Sequence, residues 1–243
     1  MMPRYRSLRP AAGVRALFDR IAPRYDLLNH LLSLGTDFGW RRRAVHALDP
    51  VRDERVLDLC CGTADLALAL VARGARVTGA DFSLPMLARG AAKARRRATR
   101  LALCGADALA LPFRDASFDA ACVAFGVRNF ADPLAGLREI GRVLRPGGRL
   151  AVLEFARPRG RLVRPLYRAY LRGVLPGMGL LVGGDADAYR YLGESIGAFY
   201  DQPAFTALLE SAGFKPEPAV DLSGGIAAIY RARRGAPDAR PAP

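Results

Sequence analysis

A glycine-bearing turn and two acids carry the first chemical signal in this chain. Val56, Leu57 and Leu59 form an apolar run around Asp58 that breaks at Cys60-Cys61-Gly62-Thr63-Ala64, and Asp65 to Val71 resumes as Leu/Ala-rich sequence of helical character. That reads as strand, tight turn, helix. A glycine at such a turn lets backbone approach a ligand closely, while the free N–H groups of the following helix's first turn suit polar or anionic ligand atoms. About 20 residues further on, Arg76 to Ala80 ends in Asp81, placed at the close of a second strand to accept hydrogen bonds from a ribose diol. After a third strand come Asp107 and Ala108, an acid for an adenine amino group and a backbone N–H for a ring nitrogen; the plainer reading of Asp107 is a cap on the next turn. A full G-x-G-x-x-G is missing, because Cys60 and Ala64 stand where glycines would be. A pyrophosphate is therefore disfavoured against a smaller nucleoside ligand, which favours S-adenosylmethionine over NAD.

The elements that must position these residues alternate regularly: strand 55–60, helix 64–73, strand 76–80, helix 84–97, strands 101–105 and 118–124, helix 133–144, strand 149–155. Alternation of this kind predicts a parallel sheet with helices on both faces, and ligands bind such sheets beyond the carboxyl ends of the strands. The residues just past each strand are therefore the informative ones: Gly62 and Thr63, Asp81, Asp107 and Ala108, the run Ala124 to Asn129, and Glu154. Arg145-Pro-Gly-Gly-Arg149 has the chemistry of a turn between helix and strand. Ahead of the core, Val14, Leu17, Phe18, Ile21 and Tyr25 fall at helical spacing with an interruption near Pro23, and a second helix follows Asp37, read as its N-cap, with Trp40, Ala44 and Leu48 on one face. This leader can fold over the ligand cleft as a lid. Beyond the core, 188–199 and 203–213 read as helices, and 214–221 with 225–231 as an antiparallel hairpin.

The 243 residues suit one domain at 14–234, with a helical leader at 14–50, a helical insert at 157–200, and disordered ends at 1–13 and 235–243. The net charge of +14 comes almost wholly from arginine, since Lys93 and Lys215 are the only lysines, so it reads either as coding bias or as a surface drawn to phosphate or anionic lipid. Four cysteines without a C-x-x-C pair and two histidines argue against a metal site, and cysteines on or beside strands read as small apolar core residues. No apolar run reaches the roughly 18 residues of a membrane span, and the start lacks a signal-peptide core, so a cytoplasmic protein is expected.

Several stretches together resemble one family. They are Phe18-Asp19-x-Ile21-Ala22-x-x-Tyr25-Asp26-x-x-Asn29, Leu32-Ser33-x-Gly35-x-Asp37-x-x-Trp40-Arg41, Asp107-Ala108-x-x-Leu111-Pro112-Phe113, Phe125-Gly126-Val127-Arg128-Asn129, Leu153-Glu154-Phe155 and Gly225-Ile226-x-Ala228-Ile229. The pattern, running from about Val14 to Arg231, is similar to the C-methyltransferases of ubiquinone and menaquinone biosynthesis. The resemblance implies a class I S-adenosylmethionine-dependent methyltransferase fold, α/β and Rossmann-like, with a mostly parallel seven-stranded sheet and an antiparallel C-terminal hairpin. It also implies methylation of a ring carbon on a polyprenylated demethylquinol, demethylmenaquinol first and a benzoquinol second. Cofactor contacts are expected at Asp58, Gly62, Thr63, Asp81, Phe82, Asp107, Ala108 and Ala124. Two departures from the family stand out: Ala64 replaces a glycine, and Ala124 replaces a serine that some members carry.

For the chemistry, Arg128 is the candidate that holds the developing ring oxyanion and Asn129 orients the ring oxygen, with Tyr25 and Asp26 as an alternative base pair. Asp26 capping the break near Pro23 is the competing reading. In the insert, Arg161, Arg164, Arg168 and Arg172 recur at helical spacing opposite Leu162, Leu166, Tyr170 and Val174, which suits peripheral contact with an anionic membrane at the inner face of the cell membrane or, more plainly, a solvated face. The apolar Met178 to Val182 suits an isoprenoid tail. A homodimer is left open. Two other classes compete with the quinol enzyme. An RNA methyltransferase is favoured by charge but opposed by the lack of an Asn-Pro-Pro-Tyr type motif and of a Pro-Cys nucleophile pair, so no nucleic acid is expected. A silent binding module is favoured only by Cys60 and Ala64.

Overall fold

The computed structural model describes residues 8–33, 35–158, 160, 163–174, 177 and 185–235. Its middle is the apolar run seen in the sequence. Strand β1 (Arg55–Leu59) lies between β2 (Arg76–Asp81) and β4 (Phe118–Ala124), parallel to both, with Leu59 opposite Ala80 on one side and Val123 on the other. The sheet runs β3-β2-β1-β4-β5-β8-β6, where β3 (Ala102–Gly105) is the edge, β5 is Leu144–Phe155, and β8 (Ala227–Arg234) runs antiparallel to β5. Strand order therefore reverses between β1 and β4, and the cleft at their carboxyl ends is where a ligand binds in such a sheet.

Both faces of the sheet are covered, as a parallel sheet requires. Successive strand residues point to opposite sides, so Leu57 and Leu59 pack with Ile140, Leu144 and Phe205, while Val56 joins Trp40, Leu66 and Leu70 on the other face. The helices of the core are α4 (Asp65–Val71), α5 (Leu84–Arg96), α6 (Pro133–Val143), α8 (Ala186–Ala198) and α9 (Gln202–Ser211). Ser83, Asp132, Asp185 and Asp201 cap the last four in turn, each side chain accepting a backbone N–H of the first turn. The leader is α1 (Ala11–Ile21), a 3₁₀ turn at Ala22–Arg24 containing Pro23, α2 (Tyr25–Leu32) and α3 (Thr36–Leu48). In the insert, α7 (Val163–Ala169) passes into a π turn at Tyr170–Val174.

The structure departs from the sequence reading at five places. Asp37 is not the N-cap of α3: Gly35, with φ 74, holds that position, and Asp37 sits buried inside the first turn, where Ser33 and His30 hold its carboxylate. Strand β5 starts at Leu144, so Arg145 to Gly148 form a bulge within the strand and not a separate turn, with the register against β4 shifting between Phe118 and Ala120. The segment 214–221 is broken into β6 (Phe214–Pro216) and β7 (Val220–Leu222), both paired with β8, which makes the sheet eight-stranded where seven strands were expected. Helix α1 begins at Ala11, before Val14, and Arg9 ahead of it pairs with Asp187 at 2.6 Å. Cys104 is only half-buried because β3 is the sheet edge. Arg161, Leu162 and Met178 to Val182 lie outside the described residues, as do the side chains of Arg168, Arg172 and Val174.

Candidate active site

The strand ends at the switch point enclose a narrow cavity. Gly62, Asp81, Phe82, Asp107, Ala108 and Ala124 all stand on its walls. The turn after β1 is built from left-handed residues: Cys60 (φ 57), Gly62 (φ 54) and Ala64 (φ 67), with Phe125 (φ 58) after β4. Cysteine, alanine and phenylalanine pay for that conformation with about 1 kcal/mol or more each, the kind of local strain that collects at ligand sites. Gly126 is required by close approach, since a Cβ there would lie 2.6 Å from the Cβ of Cys60.

Asp81 is the polar anchor of this cavity. Its Oδ2 accepts the Gly62 N–H at 2.8 Å and its Oδ1 accepts the Ser83 N–H at 2.9 Å, while burial pushes its carboxyl up against those two bonds. Each oxygen keeps a lone pair for a ribose hydroxyl. Asp107 does cap its turn, with Oδ1 accepting the Leu109 N–H at 2.9 Å, yet it is exposed to the cavity as well. An acid pair, a backbone amide at Ala108 and apolar walls from Phe82 and Met86 fit a nucleoside bearing a thioether-like chain, so the donor set matches S-adenosylmethionine.

The leader closes over this cavity through two hydrogen-bonded ties. Ser83 Oγ donates to Asp19 at 2.5 Å, and Thr63 Oγ1 donates to Asp26 at 2.5 Å. Lys93 Nζ lies 2.8 Å from Asp26 and 2.7 Å from Asp65. Although burial works to raise it, donation from Lys93 and Thr63 holds the Asp26 carboxyl below its ordinary value. Thr63 and Asp26 are thus bound to each other, and neither stands on a cavity wall. Tyr25 does: its ring lies 3.7 Å from where a Cβ on Gly62 would sit.

Tyr25, Phe18 and Phe125 also wall a second, larger cavity of about 470 Å³ next to the first. Trp40, Phe125 and Phe155 form its aromatic floor, with Phe125 and Phe155 ring centroids 4.7 Å apart. Its other side comes from the insert, through Leu166, Tyr167, Tyr170, Tyr189 and Tyr191. The charged residues on its walls are Arg128, Asp37 and Arg41. Arg128 is buried, and its Nη1 donates to Glu154 Oε1 at 2.8 Å and to the Phe125 carbonyl at 2.5 Å. Burial works to lower the Arg128 pKa, but the Glu154 charge overrides it and the pKa is raised, so the cation persists. Asn129 Oδ1 accepts the Tyr191 hydroxyl at 2.9 Å and reaches the cofactor cavity. Burial raises the Tyr25 hydroxyl, against the nearby charge of Arg41.

Asp58 stands on neither cavity. It is 1% exposed within the sheet, its Oδ1 accepts the Cys122 thiol at 3.4 Å, and burial pushes its pKa up to about 7. Burial likewise raises the Cys60, Cys61 and Cys122 thiols, as expected of apolar packing residues. The sequence reading missed Lys93 and the insert tyrosines, and gave Glu154 no partner. A signal for Glu154 existed, since an acid inside the apolar run Leu150-Ala-Val-Leu-Glu-Phe155 is tolerated only when paired.

The ubiE/COQ5 methyltransferase family model matches residues 6–234. A demethylmenaquinone methyltransferase of Thermus thermophilus is 51% identical over 88% of this chain and 98% of its own length. A ubiquinone/menaquinone biosynthesis C-methyltransferase of Syntrophotalea carbinolica is 45% identical over 94% of this chain and 97% of its own length. Among solved structures, the [4+2]-cyclase SpnF superposes with a TM-score of 0.69 at 20% identity over 96% of this chain and 98% of its own. A SAM dependent methyltransferase from Aquifex aeolicus reaches 0.57 at 17% identity over 76% of this chain and 85% of its own, and at these identities the two structures speak for the fold. Family model and relatives agree over nearly the whole chain, which belongs to the ubiE/COQ5 methyltransferase family and is an S-adenosylmethionine-dependent C-methyltransferase of quinone biosynthesis.

Proposed function

We propose that the enzyme methylates a ring carbon of prenylated demethylmenaquinol, with a benzoquinol as the second substrate class. The observation that carries this reading is the apolar cavity of about 470 Å³ beside the cofactor cavity, sharing Tyr25 and Phe125 with it and carrying Arg128 on its wall. Aromatic walls suit a fused ring and a prenyl chain, and the buried Arg128 cation suits an ionised ring oxygen. Asp81, Asp107 and the Ala108 amide hold S-adenosylmethionine. When bound, it supplies a sulfonium methyl that a ring carbon takes, the C–S pair staying on sulfur as the new C–C bond forms. The chain's own residues make that carbon nucleophilic. Arg128 stabilises negative charge on the neighbouring ring oxygen, Asn129 orients the ring through the Tyr191 hydroxyl that it holds on the wall of this cavity, and Trp40, Phe125 and Phe155 keep water away. Holding both reactants in adjoining cavities supplies the proximity.

We further propose that the protein reaches its substrate as a peripheral membrane protein. No described helix is long and apolar enough to cross a membrane. Helix α7, which walls the quinol cavity, presents Arg164 exposed on one side and Leu166, whose exposure is 72%, on another.

Trp40 is the only tryptophan in the chain and stands on the quinol cavity, so its fluorescence reports occupancy directly. The deciding experiment adds demethylmenaquinol or a demethylated benzoquinol with S-adenosylmethionine and identifies products by mass spectrometry. Quenching of Trp40 and a product heavier by one methylene, greater for the naphthoquinol, is the expected outcome. Neither quinol methylated would overturn the reading.

A further inference from the structure

Ionising the ring hydroxyl requires a place for its proton. Arg128 takes none, because guanidinium stays charged. Asp26 is tied to Thr63 and Lys93, away from the cavity that holds Arg128. Asp37 does stand on the wall of that cavity, with its side chain 4% exposed. Its Oδ1 accepts the Ser33 hydroxyl at 2.8 Å, and His30 Nδ1 lies 3.0 Å from its Oδ2. Arg41 Nε stands 3.7 Å from the same Oδ2 and supplies countercharge. A carboxylate offers about four lone-pair positions, so these partners leave room for a substrate hydroxyl.

Asp37 lines the same cavity as Arg128, and Arg41 and Phe125 link the two. The Arg41 guanidinium lies over the Phe125 ring, 5.7 Å from its centroid, and the Phe125 carbonyl accepts from Arg128 at 2.5 Å. The Tyr25 hydroxyl senses the charges of both arginines. On its far side, His30 is stacked on Phe38 with ring centroids 4.1 Å apart, and its side chain is 30% exposed. Among the described residues, the Asp37–His30 pair therefore spans from the cavity wall to solvent.

We propose that Asp37 accepts the proton of the quinol hydroxyl and that His30 carries it to water. This rests on the quinol reading above. The relay uses the imidazole tautomer with its proton on Nε2. The proton passes from ring oxygen to an Asp37 carboxylate oxygen and on to the free Nδ1, Nε2 releases its own proton to solvent, and exchange with solvent returns the ring to the starting tautomer before the next turnover. One proton leaves per turnover. The hydroxyl proton departs by this route, and after the C–C bond forms Asp37, again a carboxylate, takes the hydrogen of that carbon as a proton and returns it to the ring oxygen, while the C–H bonding pair restores the aromatic ring.

The test uses the full chain with its demethylated quinol. Asp37→Asn should quench Trp40 with quinol affinity within about threefold of the parent, yet turn over about 100-fold or more slowly. His30→Ala should lose about tenfold and regain rate with added imidazole, more basic imidazoles rescuing better, a response that a packing role for His30 would not give. Should Asp37→Asn fail to fold, the His30→Ala rescue decides alone. An Asp37→Asn variant turning over within about threefold of the parent, or a His30→Ala loss that no imidazole restores, overturns the proposal while the quinol reading stands. A parent that methylates no quinol sinks the reading and the proposal together.

Discussion

Arg128 and Glu154 form an ion pair at 2.8 Å in which the side chains are 6% and 0% exposed. The residues are 26 positions apart, one in the 3₁₀ turn after β4 and the other at the end of β5. Glu154 Oε2 also accepts the Arg128 N–H, and Oε1 the Phe155 N–H, so the acid sets both the backbone and the side chain of the arginine. A buried pair of this kind contributes little net stability compared with apolar packing, but breaking it strands a charge. Its value here is positional: it holds a cation on the wall of an apolar cavity.

Removing either partner alone should therefore be costly. Glu154→Ala is expected to lose about 3 to 5 kcal/mol in urea unfolding. Arg128→Ala strands Glu154 in turn, so its expected loss of turnover, about 100-fold, mixes chemistry with stability. The double variant Arg128→Met with Glu154→Gln separates the two. It should recover most of the stability but none of the turnover, while binding S-adenosylmethionine nearly as the parent does. Normal turnover in that variant removes Arg128 from the mechanism.

Asp81 and Asp107 should not contribute equally to cofactor affinity. Asp81 is 6% exposed and positions the Gly62 amide, whereas Asp107 is exposed and already serves its own turn. Asp81→Ala is expected to weaken S-adenosylmethionine binding by tenfold or more, from a loss of about 1.5 to 3 kcal/mol, with Asp107→Ala costing less. Isothermal calorimetry on both variants measures it. Equal losses would mean that screening by solvent does not distinguish the two sites.

Stability should fall as pH rises from about 4 towards neutrality and level off above about 7, because of Asp58. Burial raises its folded pKa to about 7 from an ordinary 3.8, so the folded state favours the protonated acid. That contribution is fully present below about 3.8 and is lost as pH climbs through about 7, a change of order 4 kcal/mol. Urea midpoints between pH 5 and 8 should decline in the parent and stay flatter in Asp58→Asn, which keeps an acceptor for the Cys122 thiol. Identical pH profiles would show that Asp58 is ionised throughout.

Attachment to lipid should be electrostatic if α7 carries it. Sedimentation with anionic vesicles is expected to fall as salt rises and to drop about tenfold or more in Arg164→Glu with Arg168→Glu, at about 1 kcal/mol for each basic residue lost near the surface. Binding that ignores both salt and charge reversal would leave the arginine stripe a solvated face.

The alternation of strand and helix, the glycine turn at Gly62 and the acid at Asp81 were legible in the sequence because each is a local matter. Strand residues alternate by two, helix residues by 3.6, and a tight turn names its glycine within a few positions. The same local logic placed Arg128 and Asn129 at the cleft, since both stand just after the fourth strand, and brought Tyr25 and Asp26 there only through a leader expected to fold over it. It could not separate Tyr25 from Asp26. At the start of α2 these neighbours point about 100° apart, so Tyr25 covers the cavities while Asp26 turns to Thr63 and Lys93. Nor could it pair Arg128 with Glu154, or turn Asp37 from a supposed cap into a buried acid on the larger cavity. Those depend on how β4 lies against β5 and how the leader lies on the sheet, and partners distant in sequence are chosen by packing: a buried charge must find its countercharge wherever the fold brings one.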